Sequence, residues 1–453
     1  MDARVNREPT DAERYPTLSD AGRAMLRLMS EHPSAPVLRN RSGNRLLADE
    51  VEDLRAYERE VIGARFAWNT KQVPPWLDAF VDEVFAQVPH YREHGRPASF
   101  LDIATSGRGD LAADIAQFVP DNVPLERLIN FRTTGTTGHP LILPSHPVVA
   151  GRYLAFHKRA LRRAGIEPRH GRGQVGVMLL GLQRRCFTYV SVTPTMDESG
   201  LAKINLHPDD WRDPADRARY LDAMQPEVIA GDPISFAALL ELPVSHRPRA
   251  LLSVSMALST TLRAKLSERF GCPVLDVYSM NEAGPLGVYD DALDAFVLLQ
   301  PRMYVETLDA YGRPVPEGQA GEIALTGGFN FYLPLLRYRT GDHGVLIDTA
   351  EGPAIAQLQG RRPVRFLTQD GDWINNIDLT HALLPLPLSR YTVHQAADGT
   401  VSLGLAPTEM AYAQDAATRL SAALRGRAIR IIDLTSEDKV LQYTTDLAGG
   451  LGA

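Results

Sequence analysis

The chain has 453 residues, more than a single hydrophobic core needs, so two unequal domains are expected. Its 48 basic and 55 acidic residues give a net charge of −7, which argues against nucleic acid or an anionic membrane as a partner. The two cysteines, Cys186 and Cys272, are too few for a disulfide framework and lack the spacing of a metal-ligand pair. Free thiols in a reducing cytoplasm are therefore expected.

The N-terminal segment has no secretory signal pattern, and no apolar run reaches half of the roughly 20 residues that a membrane span requires. Residues 1–45 are polar and only weakly periodic, which predicts a loosely packed leader. Five lysines occur in the whole chain, Lys71, Lys158, Lys203, Lys265 and Lys439. A lysine is therefore rare enough in this chain to examine individually.

The next segments predict helices and then an alternating pattern. Apolar spacing over residues 46–62 and strict i+4 repetition from Trp76 to Val88 predict two amphipathic helices. Four apolar runs predict buried strands, at residues 174–182, 227–230, 250–254 and 274–278. Helical patterns lie around them, at residues 148–164, 214–224 and 260–270. This alternation predicts an α/β domain with a largely parallel sheet.

Two further changes of pattern follow toward the C-terminus. Residues 296–347 predict a β-rich subdomain, with a turn at residues 309–312. Runs at 390–395 and 400–405 flank Asp398-Gly399, a hairpin signal, and a helix over 409–424 and a strand over 428–433 follow. The expected fold is therefore α/β (α+β overall), with a large domain over residues 46–359 and a small α+β domain over 360–453.

The first segment that indicates a binding or catalytic function is a loop rich in glycines and hydroxyl residues. It consists of Thr133, Thr134, Gly135, Thr136, Thr137, Gly138, His139 and Pro140. Glycines allow close backbone approach and the hydroxyls add donors, so the loop can cradle a polyphosphate. It is not a Walker loop, because no Gly-Lys-Ser/Thr follows. The alternative interpretation is a polar turn between two strands.

Two later segments place aromatic and acidic side chains where strands end. Tyr278 closes an apolar run, so its ring can stack on a base, while Glu282, four residues later, can reach a metal ion at the phosphates. In Arg337-Tyr338-Arg339-Thr340-Gly341-Asp342, a turn presents Asp342 to a pair of vicinal hydroxyls. Taken singly, each is more often structural, as a core tyrosine or a turn-capping aspartate.

The order of these three segments resembles the adenylate-forming superfamily of acyl-CoA synthetases, peptide-synthetase adenylation domains and luciferases. The phosphate loop, the Tyr278 to Glu282 segment and the Tyr338 to Asp342 segment are each similar to a family motif. Val88-Pro89-His90-Tyr91-Arg92 is similar to a signature of the phenylacetate–CoA ligase-like branch. The resemblance covers about residues 75–445 and implies a large adenylating domain with a small mobile C-terminal lid.

The resemblance also implies a role for individual residues. Thr133 to Gly138 would grip the ATP phosphates, Tyr278 would stack on adenine, and Asp342 would bind the ribose hydroxyls. Glu282 would hold Mg²⁺, with Asn281 near the α-phosphate. Arg361 would contact ribose or phosphate, and Lys439 would be the catalytic lysine of the lid. Parts of residues 181–190, 231–236 and 283–287 would line the acyl pocket.

Four departures from the family pattern have physical consequences. His139 replaces a lysine of the phosphate loop, so a fixed charge becomes a group that titrates near neutral pH. Pro363 replaces an acidic hinge residue and should stiffen the swing of the lid. Asp438 replaces the glycine before the catalytic lysine, and Ser255-Met256-Ala257 replaces a glycine-rich segment.

The expected function is ATP- and Mg²⁺-dependent activation of a small carboxylic acid, an aromatic one by resemblance, followed by transfer of the acyl group to CoA. The first alternative is transfer to an amine or a carrier-protein thiol, which Pro363 and Asp438 would suit. An alternative of another class is a catalytically silent protein that binds nucleotide or acid. CoA-dependent turnover separates the first two, and binding without turnover would indicate the third.

Overall fold

The structure of the protein, a computed structural model, describes most of the chain. The described residues are 9–41, 43–132, 141–256, 258–359, 364–383, 385–386, 388, 391–405, 407–434 and 443–450.

The α-helices of this part of the chain are α1 (Asp11–Arg14), α2 (Asp20–Ser30), α3 (Ala48–Gly63), α4 (Leu77–Gln87), α5 (Pro89–His94), α6 (Arg108–Ala113), α7 (Pro147–Arg163), α8 (Asp216–Met224), α9 (Pro233–Leu240), α10 (Thr260–Phe270), α11 (Asn376–Leu383) and α12 (Ala413–Ala423). The ends of α10 follow from its sequence. Ser259 accepts a hydrogen bond from the backbone N–H of Leu262 at the first turn, and Gly271 ends the helix with a φ of 64°.

The strands are β1 (Ser106–Gly107), β2 (Ile129–Arg132), β3 (Ile142–Ser145), β4 (Val175–Gly181), β5 (Tyr189–Thr193), β6 (Ser199–Asn205), β7 (Val228–Gly231), β8 (Ala250–Val254), β9 (Val274–Met280), β10 (Gly284–Asp290), β11 (Ala295–Leu298), β12 (Met303–Leu308), β13 (Gly321–Gly327), β14 (Leu335–Thr349), β15 (Gly352–Gln359), β16 (Arg365–Leu367), β17 (Trp373–Asn375), β18 (Tyr391–Gln395), β19 (Val401–Leu405), β20 (Ile429–Asp433) and β21 (Tyr443–Thr445).

One sheet of 13 strands organises most of the molecule, in the order β12-β13-β14-β15-β11-β10-β9-β8-β7-β4-β6-β5, with β1 beside β14. Its centre, β9-β8-β7-β4-β6, is parallel. Beyond β9 the strands pair antiparallel. The chain turns to opposite sides of β4 to form β6 and β7, so β4 lies at a topological switch point, where open sheets of this kind bind ligands.

The parallel centre follows from apolar composition. In β7 all four residues are buried, and in β8 four of five are, because helices cover both faces of this part of the sheet. The four strands predicted from the buried runs are all present. The helices α3, α4, α7, α8 and α10 also match predicted segments. The β-rich region is present too, but it continues the parallel sheet instead of forming a separate one.

The C-terminal residues have a hydrophobic core of their own. A four-stranded sheet in the order β20-β19-β18-β21 packs on α12 through residues such as Val393, Leu403 and Leu420, which are fully buried. The predicted hairpin is β18–β19. The predicted helix is shorter than expected, because residues 407–412 form a 3₁₀ segment before α12 begins.

The N-terminal segment packs more tightly than expected. In α2, Met25 and Met29 are 2% and 0% exposed and belong to the core that covers β4 and β6. The expectation of a loosely packed leader is therefore wrong for this helix, whose apolar stripe was too short to stand out in a polar segment. Among the described residues, no helix has the length and apolarity needed to cross a membrane.

Candidate active site

A cavity of about 710 Å³ opens at the carboxyl ends of the parallel strands. Gly181, Gly231 and Val254, at the ends of β4, β7 and β8, form part of its wall, and residues 276–282 form another. The cavity therefore lies where the switch-point rule places a ligand site. Four of the predicted site residues line it: Tyr278, Asn281, Glu282 and Asp342.

Tyr278 and Asp342 are in direct contact. Tyr278, on β9, donates a hydrogen bond of 2.9 Å from Oη to Oδ2 of Asp342, on β14. The turn before Asp342 is fixed by Gly341, which has a φ of 80°, and by Thr340, whose Oγ1 accepts from the Asp342 backbone N–H at 3.0 Å. The cavity thus has an aromatic ring and a carboxylate side by side.

Glu282 is nearly buried, with 8% of its surface exposed. Its Oε1 accepts a hydrogen bond from Nη1 of Arg108 at 3.2 Å, which also makes an ion pair, and one from Oη of Tyr338 at 3.4 Å. Next to it, the backbone carbonyl of Asn281 accepts from Oη of Tyr153 at 3.3 Å. Burial raises the pKa of the Tyr153 hydroxyl, and the charge of Glu282 raises it further. This end of the cavity therefore combines a carboxylate, a guanidinium and two phenols.

Arg108 was not anticipated from the sequence. It lies at the start of α6, immediately after the two-residue strand β1, and β1 pairs in parallel with β14 so that Gly107 stands opposite Arg339. This long-range pairing brings the guanidinium to Glu282. The chain has 43 arginines, so residue type alone gives no signal for one of them.

Lys203 and Asp232 form a second polar region in the cavity lining. Lys203 lies on β6, and Asp232 lies between β7 and α9. Burial raises the pKa of the Asp232 carboxyl, while hydrogen bonds with Ser235 and the positive charge of Lys203 oppose that shift. The rarity of lysine was the available signal for Lys203, but it did not indicate where β6 lies in the sheet.

Asp276, two residues before Tyr278, also lines the cavity. Burial raises the pKa of its carboxyl to about 7, although a backbone hydrogen bond from Leu258 and the charge of Arg263 act in the opposite direction. Nearby, Ser255 and Met256 line the wall, and Ser255 has a φ of 74°, in the left-handed region that favours glycine. This geometry explains why a glycine-rich segment would suit these positions.

Two of the three segments that were predicted to line the acyl pocket contribute residues to the cavity wall. Gly181 and Gln183 from the first, and Gly231 and Asp232 from the second, line the cavity. The third does not contribute to the lining among the described residues, because Ala283 and Leu286 are buried in the core with β14. The prediction for residues 283–287 is therefore wrong for the cavity as it stands in this structure.

Several predicted residues lie outside the described part of the chain. They are the loop Thr133 to Gly138 with His139, the hinge residues Arg361 and Pro363, and the lid residues Asp438 and Lys439. The strands on either side of this loop in the sequence are described. Its flanking strands β2 and β3 pair antiparallel, with Arg132 opposite Ile142, and Phe131 of β2 lines the cavity.

Comparisons with known proteins agree with this arrangement. Residues 186–332 match the family model described as AMP-binding enzyme. Phenylacetate-coenzyme A ligase from Pseudomonas putida is 31% identical over 106 residues, which are 22% of this chain and 24% of that protein. A protein named chalcone synthase from Aspergillus candidus is 26% identical over 197 residues, 38% of this chain and 7% of that protein. The matched segments thus span less than a quarter of these relatives.

The solved structure of 2-hydroxyisobutyryl-CoA ligase, in complex with 2-HIB-AMP and CoA, matches with a TM-score of 0.53 at 17% identity. The match covers 89% of this chain and 91% of that one, so the fold is shared along nearly the whole length. The family model, the curated relatives and the fold agree with one another. Residues 186–332 therefore match the family of AMP-binding enzymes, and the chain shares the fold of the solved 2-hydroxyisobutyryl-CoA ligase.

Proposed function

We propose that the chain is an ATP-dependent, AMP-forming ligase that activates a small carboxylic acid. The acid would attack the α-phosphorus of ATP, pyrophosphate would leave, and an acyl-adenylate would remain. The observation that carries the proposal is that one cavity holds Tyr278, Asn281 and Glu282 from one motif together with Asp342 from another, 60 residues later in the sequence. Chance clustering of the family's nucleotide-binding types at a switch point is improbable.

The nucleoside end of the cavity is proposed to lie at Tyr278 and Asp342. A tyrosine ring offers a flat surface for stacking on adenine, and a carboxylate accepts hydrogen bonds from both ribose hydroxyls. The hydrogen bond between the two side chains holds the ring beside the carboxylate before the nucleotide arrives. Such preorganisation reduces the entropy lost on binding.

The phosphate end is proposed to lie at Glu282 and Arg108. Mg²⁺ is commonly held by one or two carboxylates together with the phosphates of its substrate. Within the described residues, no three His, Cys, Asp or Glu side chains cluster as a metal site, and Glu282 offers one carboxylate at the cavity. These residues fit Mg²⁺ that arrives with ATP, where it would neutralise charge on the phosphate oxygens. The loop of residues 133–138 is proposed to hold the phosphates from the other side.

Residues 360–453 are proposed to form the mobile lid, with Lys439 as the group that stabilises charge on the reacting phosphate. Two contacts support a role for this segment at the cavity. Asn376 of α11 lines it, and Oδ1 of Asp378 accepts a hydrogen bond from the backbone N–H of Arg184 at 2.9 Å. The lid would therefore reach the same cavity that holds Tyr278.

The acid is proposed to be aromatic and the acyl acceptor to be CoA. The aromatic acid is supported by the two relatives named phenylacetate-coenzyme A ligase, and CoA by those same names. Pro363 and Asp438 favour a second candidate, in which the adenylate passes to an amine or a carrier-protein thiol.

Acid-dependent pyrophosphate release tests the proposal. The assay uses ATP and Mg²⁺ with a panel of aryl and alkyl acids, with and without CoA, for the wild type and for Lys439→Ala. Lys265→Ala is the matched control, because Lys265 is exposed on α10. Release that rises with CoA and collapses in Lys439→Ala, but not in Lys265→Ala, would support an acyl-CoA ligase. Release indifferent to CoA would indicate another acceptor. No release with any acid would contradict the proposal.

A further inference from the structure

The cavity is lined by residues from several strands of the sheet, and its second polar region lies several strands from the first. Tyr278 is on β9 and Lys203 is on β6, with β8, β7 and β4 between them. Four strand spacings separate these two strands by about 19 Å. Lys203 therefore lies at the end of the cavity opposite the proposed nucleoside end, where the side chain of an activated acid would extend.

The strand neighbours of Lys203 are apolar on the β4 side, while on the other side Lys203 is paired with Tyr189 of β5. In the sheet register Lys203 is paired with Leu179 of β4, which is paired in turn with Ala230 of β7, and both residues line the cavity. Lys203 is half-buried, and among the described residues no carboxylate lies within 4.0 Å of its ammonium group. A charged donor on an apolar wall without an ion-pair partner has unused hydrogen-bonding capacity.

Asp232 supplies an acceptor in the same region. It is the N-cap residue of α9, and its Oδ1 accepts a hydrogen bond of 2.7 Å from the backbone N–H of Ser235. The positive charge of Lys203 acts on its carboxyl, although the two groups are more than 4.0 Å apart. Lys203 and Asp232 therefore face the cavity as a separate donor and acceptor.

We propose that Lys203 and Asp232 recognise a hydroxyl group on the acid substrate, at the end remote from the carboxylate that is activated. This inference rests on the proposed function and narrows its substrate class to hydroxylated acids. The hydroxyl oxygen accepts from Nζ of Lys203, and the hydroxyl proton is donated to a carboxylate oxygen of Asp232. A single hydroxyl can make both hydrogen bonds, since it is donor and acceptor at once.

Other chemical groups at the distal end of the acid would suit Lys203 and Asp232 less well than a hydroxyl. A second carboxylate would accept from Lys203 but would face the Asp232 carboxylate without a proton to donate. An unsubstituted ring or alkyl end would displace water from both groups without replacing its hydrogen bonds, which penalises binding. The chemistry of the pair therefore selects for a hydroxyl over a purely apolar end.

The test compares matched acids that differ only by a distal hydroxyl, such as phenylacetic and 4-hydroxyphenylacetic acid, or cinnamic and 4-hydroxycinnamic acid. The kcat/KM for acid-dependent pyrophosphate release is measured for the wild type, for Lys203→Met and for Lys265→Met. For at least one pair, the wild type and the Lys265→Met control should favour the hydroxylated acid by about tenfold or more. In Lys203→Met that ratio should collapse toward one.

Direct binding separates this inference from the proposed function. The shift of the thermal unfolding midpoint is measured with each acid alone, in the absence of ATP. A larger shift with the hydroxylated acid, lost in Lys203→Met, would support the inference even if no pyrophosphate were released. Equal shifts within every pair, or a preference that survives in Lys203→Met, would overturn it while leaving acid activation intact.

Discussion

Oη of Tyr278 donates a hydrogen bond of 2.9 Å to Oδ2 of Asp342, which joins two strands whose contacting residues are 64 positions apart in the chain. Each residue was predicted to contact a different part of the same nucleoside. Their contact fixes the ring and the carboxylate relative to each other before any ligand binds. The hydrogen bond is therefore a feature of the site that can be altered without removing either binding surface.

Substitutions of Tyr278 should distinguish the proposed stacking of its ring on adenine from the positioning of that ring by the hydrogen bond to Asp342. Tyr278→Phe keeps the ring but removes the donor to Asp342, so the KM for ATP should rise by about three- to tenfold. Tyr278→Leu also removes the stacking surface and should raise it further. Pyrophosphate release at varied ATP concentration measures both effects. Tyr311→Phe is the control, because Tyr311 is 84% exposed. Equal effects of Phe and Leu would contradict the stacking role.

Because Arg108 and Glu282 form an ion pair, substitutions of the two residues should have opposite effects on the Mg²⁺ concentration that half-saturates activity. Arg108 would compete with the proposed Mg²⁺ ion for the Glu282 carboxylate, so Arg108→Met should lower the Mg²⁺ concentration that half-saturates activity. Glu282→Gln should raise it by about tenfold or more, since it removes the proposed metal ligand. Mg²⁺ titrations at saturating ATP measure both. Arg92→Met, in an exposed pair with Asp121, is the control. A shift in the same direction for both variants would refute the competition.

The strands, and the residues of the proposed nucleoside end that line the cavity, were predictable because their signals are local. Strands β7 and β8 are runs of buried apolar residues, which the sequence displays directly. Tyr278, Glu282 and Asp342 belong to motifs in which neighbouring residues support the assignment. Tyr278 and Glu282 lie at or just after the end of β9, at the edge where the parallel strands end, whereas Asp342 reaches the same cavity from β14, in the antiparallel part of the sheet.

Arg108 and Lys203 were not predictable as site residues, because their positions depend on long-range strand pairing. Arg108 reaches Glu282 only through the pairing of β1 with β14, and Lys203 reaches the cavity only because β6 lies beside β4. Neither pairing has a turn or periodicity signal within its own segment. The tight packing of α2 is a similar case, since Met25 and Met29 are buried by elements distant in sequence.

The buried ion pair between Arg337 and Glu306 should make replacement of Arg337 strongly destabilising. Arg337 and Glu306 have side chains that are 2% and 4% exposed and lie 3.2 Å apart. Arg337→Met should lower the free energy of unfolding by about 3–5 kcal/mol, because it leaves the Glu306 carboxylate buried without a partner. Addition of Glu306→Gln should recover part of that loss. Urea unfolding measures both, with the exposed Arg419→Met as control. A double variant less stable than the single one would contradict this explanation.

Asp276 should make the stability of the protein depend on pH. Burial raises the pKa of its carboxyl in the folded state from 3.8 to about 7. Below pH 4 the carboxyl is protonated in both the folded and the unfolded state. Between pH 4 and 7 the unfolded chain releases the proton and the folded protein retains it, so stability falls as the pH rises through this interval. Above pH 7 both states are ionised and the loss is complete.

The variant Asp276→Asn should therefore gain stability relative to the wild type as the pH rises. Asparagine cannot ionise but can still accept the hydrogen bond from the Leu258 backbone N–H. The difference in the free energy of unfolding between variant and wild type should move in favour of the variant by up to about 4 kcal/mol from pH 4 to pH 8, because one pKa unit corresponds to about 1.36 kcal/mol. Denaturant unfolding of both proteins at pH 4, 6 and 8 measures it, and subtraction cancels the other titrating groups. A difference that stays constant over this range would show that the Asp276 carboxyl is ionised in the folded protein already at pH 4.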